Sequence, residues 1–390
     1  MNFRSIKIIV LAFLVALLPV YGAEARGQET TTKDTVSQKP PPAPDVGARA
    51  WTIMDIRTGE YLAGENADKR LPMASTTKIM LALLTLEETN LEQEVVVSEK
   101  AASFAVPLYS NVGLFAGDSV SVRELLMASV ISSGDDAAYA LAEHLGNGSV
   151  DKFVEEMNRR SGELGLRDTR FENPVGFDTR NHHSSARDLA RMTRLAFEKP
   201  EFREIAATAE AEITTQDRTI PLVNTNELLF TYGPATGVKT GTTPAAGPSL
   251  VTSAAEGNES YITVVLDDEE RFADTISLME YGFATYDRRN LVREGKRYAG
   301  ADVPYRRGEG IDLIAKANVP GLVDGDPRVE REIEAKEDLP AVAKPGDRLG
   351  KITVKVDGER VGETPLVARG SYEEASVGEK VWYTVEGIFE

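Results

Sequence analysis

The sequence predicts an α+β domain followed by a small all-β domain. Strand patterns begin the first part, helical patterns fill its middle, and strands with one helix end it, so both ends of this domain should meet in one sheet. From about Arg289 the pattern changes to short alternating stretches. Residues 351–356 alternate with period two before the hairpin signal Asp357-Gly358. We therefore expect one domain over residues 48–286 and a β-rich domain over residues 290–390.

Composition and charge limit the possible partners. The 390 residues are 42% hydrophobic and 27% charged, which is ordinary for a globular protein and long enough for two domains. The net charge of −18 argues against nucleic acid and against electrostatic docking on anionic lipid, because both require a basic surface. The chain has no cysteine, so neither disulfides nor lipidation at cysteine is expected.

The N-terminus has the pattern of an export signal. Basic residues and an apolar run over residues 8–20 precede the small-x-small cleavage site Ala23-Glu24-Ala25. We expect a signal peptide over residues 1–25 and an exported mature chain, with an uncleaved membrane anchor as the alternative. Residues 26–47 are polar and proline-rich, which predicts a linker.

The elements of the first domain follow in order from periodicity and capping signals. Strands are predicted over residues 50–56 and 61–62. The predicted helices have apolar faces and cap residues, and begin at residues 75, 121, 135, 149 and 185. The strands predicted after them cover residues 212–215, 218–222, 237–241, 249–254 and 261–266, before a helix over 269–284. In the second domain, apolar residues at 381–385 and the chain end at 383–390 predict a last strand, so any membrane contact would come from the N-terminal segment.

Ser75-Thr76-Thr77-Lys78 is the first candidate site. Residues three apart share a helical face, so the Lys78 amine can reach the Ser75 hydroxyl. This arrangement can activate a serine without histidine. The partial positive charge of a helix N-terminus disfavours the ammonium form and helps Lys78 act as a base. Alone, the pattern also fits a helix cap with a surface lysine, which is our interpretation of Ser149 and Lys152.

Two further motifs help to decide between these two interpretations of Ser75 and Lys78. Ser133-Gly134-Asp135 breaks two apolar helices, and Lys239-Thr240-Gly241 lies on a predicted strand. Taken singly, they also fit a helix–helix loop capped by Asp135 and a strand edge with an exposed lysine. Their order favours chemistry, since Ser-x-x-Lys, a Ser-x-Asn-like loop and Lys-Thr-Gly form the motif set of penicillin-binding proteins and serine β-lactamases.

The chain resembles the D-alanyl-D-alanine carboxypeptidases of this superfamily over about residues 48–284. The segments that carry the resemblance are Asp55-Ile56-Arg57-Thr58-Gly59, Pro72-Met73-Ala74-Ser75-Thr76-Thr77-Lys78, Ser133-Gly134-Asp135-Asp136-Ala137, Leu164-Gly165-Leu166, Phe171-Glu172-Asn173-Pro174, Ser185-Ala186-Arg187-Asp188-Leu189-Ala190 and Asn224-Thr225-Asn226. The β-rich tail is similar to that family's second domain. The resemblance implies a β-lactamase/transpeptidase-like fold, with a helical cluster on an antiparallel sheet.

The resemblance also implies a reaction on the D-Ala-D-Ala end of peptidoglycan stem peptides. Ser75 would form an acyl-enzyme with the penultimate carbonyl, Lys78 would take its proton, and Ser133 would pass a proton to the leaving amine. Lys239 and Thr240 would bind the terminal carboxylate, and water would release the acyl group. Penicillins and other β-lactam antibiotics would acylate the same serine. No metal or other cofactor is implied.

Two positions depart from the family pattern. The family usually has Asn where this chain has Asp135. A carboxylate only accepts hydrogen bonds, and its charge would favour the ammonium form of Lys78, which is the wrong form for a base. Either Asp135 is held protonated, or the rate is lower, or the substrate differs. The family often has His at Thr242, whose backbone N–H would complete the oxyanion hole with that of Ser75.

Two other functions remain open at this stage. A β-lactamase would need a carboxylate that activates water for deacylation, and Glu172 beside Asn173 is the candidate for that role. A non-catalytic cell-wall binding protein would keep the fold and carry Asp135 as its lesion. The histidines have no ligand spacing with acidic residues and are expected to be structural or surface residues: His144, His182 and His183.

Overall fold

The computed structural model describes residues 32–33, 41–324, 327–336 and 339–389. The predicted signal peptide lies outside these residues, and so does most of the predicted linker. The chain divides between Arg288 and Arg289 into two units, and strand β1 (Thr32–Lys33) belongs with the second. Within the described ranges, no helix combines the length and apolar composition that a membrane crossing requires.

The first unit begins with two strands, continues with helices and ends with strands and one helix. In chain order its elements are β2 (Ala50–Asp55), β3 (Tyr61–Glu65), a 3-10 turn (Ala74–Thr77), α1 (Lys78–Glu88), β4 (Glu94–Val96), α2 (Glu99–Ala102), β5 (Ser119–Ser121), α3 (Val122–Ile131), α4 (Asp135–Leu145), α5 (Val150–Glu163), α6 (Ala186–Ala196), α7 (Pro200–Ala207), β6 (Glu210–Thr214), β7 (Thr219–Val223), α8 (Leu228–Thr231), β8 (Ala235–Thr243), β9 (Gly247–Glu256), β10 (Glu259–Leu266) and α9 (Arg271–Thr285).

The main sheet of this unit is antiparallel and joins its two ends. The strand order is β3-β2-β10-β9-β8, with Tyr261 opposite Asp55 and Leu266 opposite Ala50. Every residue of β2 is buried, because helices α6 and α9 pack on the sheet. Successive side chains of a strand point to opposite faces, so complete burial means that both faces are covered. The predicted meeting of the two ends in one sheet is confirmed.

Helix α1 is the centre of the helical cluster. Residues 79–84 are six consecutive apolar residues, each at most 1% exposed. Helices α3, α4, α5, α6 and α7 all pack against α1, so its burial extends beyond the single apolar face that the spacing of Ile79, Leu83 and Leu86 predicts. Because Lys78 is the first residue of α1, its side chain starts inside this cluster.

The second unit is a β-structure followed by a helix. In chain order its elements after β1 are β11 (Tyr286–Val292), β12 (Arg297–Asp302), β13 (Gly310–Ala315), β14 (Val319–Asp324), β15 (Val329–Ala335), β16 (Arg348–Val356), β17 (Glu359–Ala368) and α10 (Val377–Phe389). A six-stranded sheet has the order β1-β15-β16-β17-β13-β12, and β11 pairs with β14. The hydrophobic core of this unit includes Leu313, Ile352, Val354 and Leu366. The predicted fold class, an α+β domain followed by a β-domain, is confirmed.

The last strand predicted at residues 381–385 and 383–390 is wrong. The structure has helix α10 there instead. Ser376 starts it, since Ser376 N donates to Glu379 Oε2 at 2.6 Å and Glu379 N donates to Ser376 Oγ at 3.3 Å. This reciprocal pair is a capping box, the signal that correctly predicts the helix after Ser121. The strand-favouring residues 381–385, Val-Trp-Tyr-Thr-Val, outweighed this signal in the sequence prediction.

Candidate active site

Ser75 lies in the 3-10 turn that leads into α1, and its hydroxyl does not cap the helix. No side-chain cap bond forms at the turn or at the start of α1. Instead, Lys78 Nζ donates to Ser75 Oγ at 3.1 Å. At the second Ser-x-x-Lys sequence, Ser149 Oγ accepts from Lys152 N and Lys152 is exposed, so the cap interpretation is confirmed there. The Ser-x-x-Lys pattern therefore forms a serine–lysine pair at Ser75 and a helix cap at Ser149.

The Lys78 amine is buried and surrounded by three acceptors. Besides Ser75 Oγ, Lys78 Nζ donates to Asp135 Oδ1 at 2.7 Å and to the Val175 carbonyl oxygen at 3.0 Å. The Lys78 side chain is 0% exposed and that of Asp135 is 6% exposed. Three acceptors match the three N–H groups of an ammonium. In this arrangement the nitrogen has no free lone pair with which to take the Ser75 proton.

The Ser133-Gly134-Asp135 loop joins α3 to α4 beside this pair. Asp135 is the first residue of α4, and its carboxylate contacts Lys78 rather than capping the helix. Ser133 is 4% exposed and has a left-handed φ of 59°, which is uncommon for a residue with a Cβ. Within the described residues, no hydrogen bond joins the Ser133 hydroxyl to Ser75 or to Lys78. Ser133 thus lies in the neighbouring loop and is not hydrogen bonded to either member of the pair.

A turn after Asn173 completes the surroundings of Lys78, and the sequence analysis assigns this turn no contact with the lysine. Asn173 Oδ1 accepts from the backbone N–H of Val175 at 3.2 Å, Gly176 at 2.7 Å and Phe177 at 2.9 Å. This turn presents the Val175 carbonyl to Lys78. Gly176 has φ +101°, and a Cβ there would lie 2.0 Å from the Ala74 oxygen and 2.8 Å from the Ser75 nitrogen. Only glycine fits this approach.

Strand β8 forms the other wall of the site. Lys239 is 1% exposed, so the alternative of an exposed strand-edge lysine is wrong. Burial, and then the charge of Lys78, hold the pKa of the Lys239 amine well below its ordinary value. A Cβ on Gly241 would lie 3.1 Å from the Ser75 nitrogen, so the strand runs directly along the Ser75 turn. The Lys-Thr-Gly motif and Ser75 are therefore neighbours.

The side chains of Thr240 and Thr242 have separate partners. The Thr240 hydroxyl is hydrogen bonded to that of Thr225 at 2.6 Å. Arg271, the first residue of α9, donates from Nη1 to Thr242 Oγ1 at 2.8 Å and to the Gly241 oxygen at 3.1 Å. Sequence reasoning missed Arg271, because it follows the Lys-Thr-Gly motif by 30 residues and belongs to no motif of its own.

His182 has a structural role, as predicted. Glu172 N donates to His182 Nδ1 at 3.0 Å, so Nε2 carries the hydrogen that is shared with Thr77 Oγ1 at 2.7 Å. Burial lowers the pKa of His182 to about 4, so the ring is neutral at pH 7. The Glu172 carboxylate accepts from the side chain and backbone N–H of Asn181. Among the described residues, no three metal-binding side chains form a cluster.

These features define a class of enzyme site. A serine hydroxyl bonded to a buried lysine, beside an edge strand with a second buried lysine, is the arrangement of a serine acyl-transfer enzyme that uses lysine in place of histidine. Comparisons with known proteins agree. A sequence model of the D-alanyl-D-alanine carboxypeptidase family matches residues 34–270, and a model of the penicillin-binding protein 5 C-terminal domain matches residues 286–374.

The chain belongs to the D-alanyl-D-alanine carboxypeptidase family. It is 33% identical to D-alanyl-D-alanine carboxypeptidase DacF of Bacillus subtilis, over 84% of this chain and 86% of that protein. It is 32% identical to DacC of Escherichia coli, over 87% and 88% of the two chains. The predicted activity, that of a serine-type D-alanyl-D-alanine carboxypeptidase, is confirmed by this membership.

Solved structures extend the similarity to three dimensions. The Streptomyces K15 DD-transpeptidase matches 62% of this chain and 99% of its own, with 35% identity and a TM-score of 0.59. Penicillin-binding protein 5 of Haemophilus influenzae matches 85% of this chain and 99% of its own, with 29% identity and a TM-score of 0.66.

Proposed function

We propose that Ser75 is the nucleophile that cleaves the terminal D-alanine from peptidoglycan stem peptides. The observation that carries the proposal is the 3.1 Å hydrogen bond between Lys78 Nζ and Ser75 Oγ, formed where the Lys-Thr-Gly strand runs along the same turn. Ser75 Oγ attacks the penultimate carbonyl, its proton passes to Lys78, and an ester to Ser75 replaces the peptide bond. Water then hydrolyses the ester.

Strand β8 binds the substrate in this proposal. It is an edge strand of the sheet, so an extended peptide can add to it through backbone hydrogen bonds. The buried amine of Lys239 and the hydroxyl of Thr240 receive the terminal carboxylate. A carboxylate beside the Lys239 amine stabilises the ammonium form, which burial disfavours in the empty site. The N–H groups of Ser75 and Thr242 receive the oxyanion.

Ser133 transfers the proton that the leaving amine requires. It is buried in the loop that also carries Asp135, which contacts Lys78. Its hydroxyl can donate and accept at once, so it can connect Lys78 to the departing D-alanine once substrate fills the space between them. Ser133→Ala should slow acylation while Ser75 and Lys78 remain in contact.

Penicillins acylate Ser75 in the same way and leave slowly. The carboxylate of Glu172, the one candidate for a β-lactamase-like deacylating base, is hydrogen bonded to Asn181 in its own loop. This supports a carboxypeptidase that forms a long-lived penicillin ester. The cellular part of the proposal is export by residues 1–25, a linker over 26–47, and domains over 48–286 and 290–390 that act on the cell wall.

Release of D-alanine from a diacyl-L-Lys-D-Ala-D-Ala peptide tests the proposal. The full mature chain should release one D-alanine per peptide, and Ser75→Ala should reduce the rate to background. Equal release by Ser75→Ala would refute the assignment of the nucleophile. Glu172→Gln is the matched control, since it removes a nearby carboxylate outside the proposed machinery and should release D-alanine at the wild-type rate.

A further inference from the structure

Asp135 stands where relatives of this site are expected to carry an amide, and its carboxylate touches the base. We propose that Asp135 is a further catalytic residue, which takes a proton from Lys78 and thereby frees the lysine to accept the Ser75 proton. The proposal rests on the function proposed above, with Ser75 as nucleophile. It assigns the carboxylate a part in the reaction, instead of treating it as a defect of the motif.

The acceptors around Lys78 Nζ differ in their ability to take a proton. The three acceptors are Ser75 Oγ at 3.1 Å, Asp135 Oδ1 at 2.7 Å and the Val175 carbonyl oxygen at 3.0 Å. The Val175 oxygen belongs to a peptide group, which does not take a proton at neutral pH. Ser75 is the group to be deprotonated. Asp135 is therefore the acceptor, among these three, that can receive a proton from the ammonium, and its contact is the shortest.

Burial of Lys78 and Asp135 favours a neutral pair. The side chains of Lys78 and Asp135 are 0% and 6% exposed, so neither ion is well hydrated. Burying two ions carries a desolvation cost that offsets much of their attraction. Transfer of one proton converts the ion pair to an amine and a carboxylic acid, and both neutral groups can remain hydrogen bonded. The transfer leaves the net charge of the site unchanged, so the ratio of the ion pair to the neutral pair does not depend on pH.

Charged groups around Lys78 and Asp135 also influence where the proton lies. Lys239 interacts electrostatically with both Lys78 and Asp135, and Arg271 interacts electrostatically with Lys239. A bound substrate carboxylate stabilises the ammonium form of Lys239, and this positive charge then disfavours a second ammonium at Lys78 and favours passage of its proton to Asp135. The neighbouring carboxylate of Asp136 accepts from the backbone N–H groups of residues 112–114. His182, which is hydrogen bonded to Thr77 next to Lys78 in the chain, interacts electrostatically with Glu172 and Asp178 and stays neutral at pH 7.

The steps balance as follows. A proton moves from Lys78 Nζ to Asp135 Oδ1, which leaves a neutral amine and a carboxylic acid. Lys78 then takes the hydroxyl proton of Ser75 as Oγ bonds to the carbonyl carbon. The C–N bond breaks, the leaving nitrogen receives a proton from the lysine by way of Ser133, and Asp135 returns its proton to Lys78. The pair ends as it began, and the Ser75 proton has moved to the released amine.

The pH dependence of acylation tests the proposal. Acylation of the full mature chain by a chromogenic cephalosporin is measured from pH 5 to pH 9 for wild type, Asp135→Asn and the control Glu172→Gln. The wild type and the control should react at a rate that is flat within about twofold from about pH 6 to about pH 8, since the transfer is internal. Asp135→Asn must lose the Lys78 proton to solvent, so its rate should fall about tenfold per pH unit on the acid side. This fall should begin at least about one pH unit above that of wild type.

Other outcomes would overturn the proposal in distinguishable ways. Identical acid limbs in wild type and Asp135→Asn would show that Asp135 takes no proton. A variant that is faster than wild type at every pH would show that the carboxylate only restrains Lys78. Absence of any Ser75 adduct in the wild type would overturn the proposed function itself, and this proposal with it.

Asp135→Glu distinguishes the need for a carboxylate at this position from the need for a side chain of the size of aspartate. Asparagine has the shape of aspartate and keeps the oxygen that accepts from Lys78, so Asp135→Asn should fold, and equal thermal unfolding of wild type and variant checks this. Glutamate restores a carboxylate one methylene further out. It should restore the flat profile at a lower rate, because it can take the proton but at a changed distance. A tenfold fall per pH unit in Asp135→Glu, like that of Asp135→Asn, would refute a role for the carboxylate.

Discussion

Gly176 is the position where one added methyl group should do most damage to the site. Its φ is +101°, and a Cβ would lie 2.0 Å from the Ala74 oxygen and 2.2 Å from the Ala74 carbonyl carbon. Both are backbone atoms of the turn that carries Ser75, so no rotamer change relieves the contact. The unfavourable φ costs about 1–2 kcal/mol, and overpacking costs about 1–3 kcal/mol. We expect Gly176→Ala to lower the free energy of unfolding by about 2–5 kcal/mol.

The same substitution should impair acylation, since relief of the contact requires the Ser75 turn to move. A displacement of about 1 Å at a reacting group can cost about 100-fold in rate. Denaturant unfolding and the rate of acylation by benzylpenicillin measure the two effects. Gly148→Ala is the matched control, because Gly148 has φ +85° and no atom within 4 Å of its added Cβ. It should lose about 1–2 kcal/mol and acylate normally. Equal stability of the two variants, with normal acylation in both, would refute the packing argument.

Three further variants test separate parts of the account. The His182 pKa of about 4 lies below the ordinary 6.5, so its contribution to stability is complete above pH 6.5 and is lost as pH falls towards 4. Between about pH 7.5 and pH 5, wild type should lose about 2 kcal/mol more unfolding free energy than a variant without this ring. His182→Gln should lack this loss, and denaturant unfolding at the two pH values decides. Asn173→Ala should lower the free energy of unfolding by about 1–3 kcal/mol and slow acylation, because the turn that presents the Val175 carbonyl to Lys78 loses its acceptor; an unchanged acylation rate would contradict this. Lys239→Gln should reduce kcat/KM for the tripeptide by about 10- to 100-fold, as expected for loss of a charge-assisted hydrogen bond of about 1.5–3 kcal/mol, and an unchanged kcat/KM would remove Lys239 from the carboxylate site.

The sequence predicts the fold class and most elements because local signals and global fold agree there. The capping box at Ser121 and the cap residues Ser149 and Ser185 are local signals for helix starts, and a helix follows each of them. At the chain end two local signals conflict. Residues 381–385, Val-Trp-Tyr-Thr-Val, all have high strand propensity. Ser376 and Glu379 nevertheless form a capping box, and Val377, Val381 and Val385 recur every four residues as on one helical face, so a helix forms.

The candidate site divides in the same way. The motif residues Ser75, Lys78 and Lys239 can be predicted from the sequence because the chemistry belongs to their side chains. The contact of the Val175 carbonyl cannot be predicted from the sequence, because every residue has a carbonyl. Only the turn held by Asn173 directs this one to Lys78. Lys78 and Asp135 are 57 residues apart in the chain. The sequence shows that Asp135 departs from the family pattern, but only the folded structure shows that it contacts Lys78 and at what distance.

The central claim is that Ser75 is the acylated nucleophile. Intact-protein mass after incubation with benzylpenicillin, followed by peptide mapping, tests it most directly. The mature chain should gain the mass of one benzylpenicillin, on the peptide that contains Ser75, and Ser75→Ala should gain none. A chain that stays unmodified, or an adduct that persists in Ser75→Ala, would contradict the account.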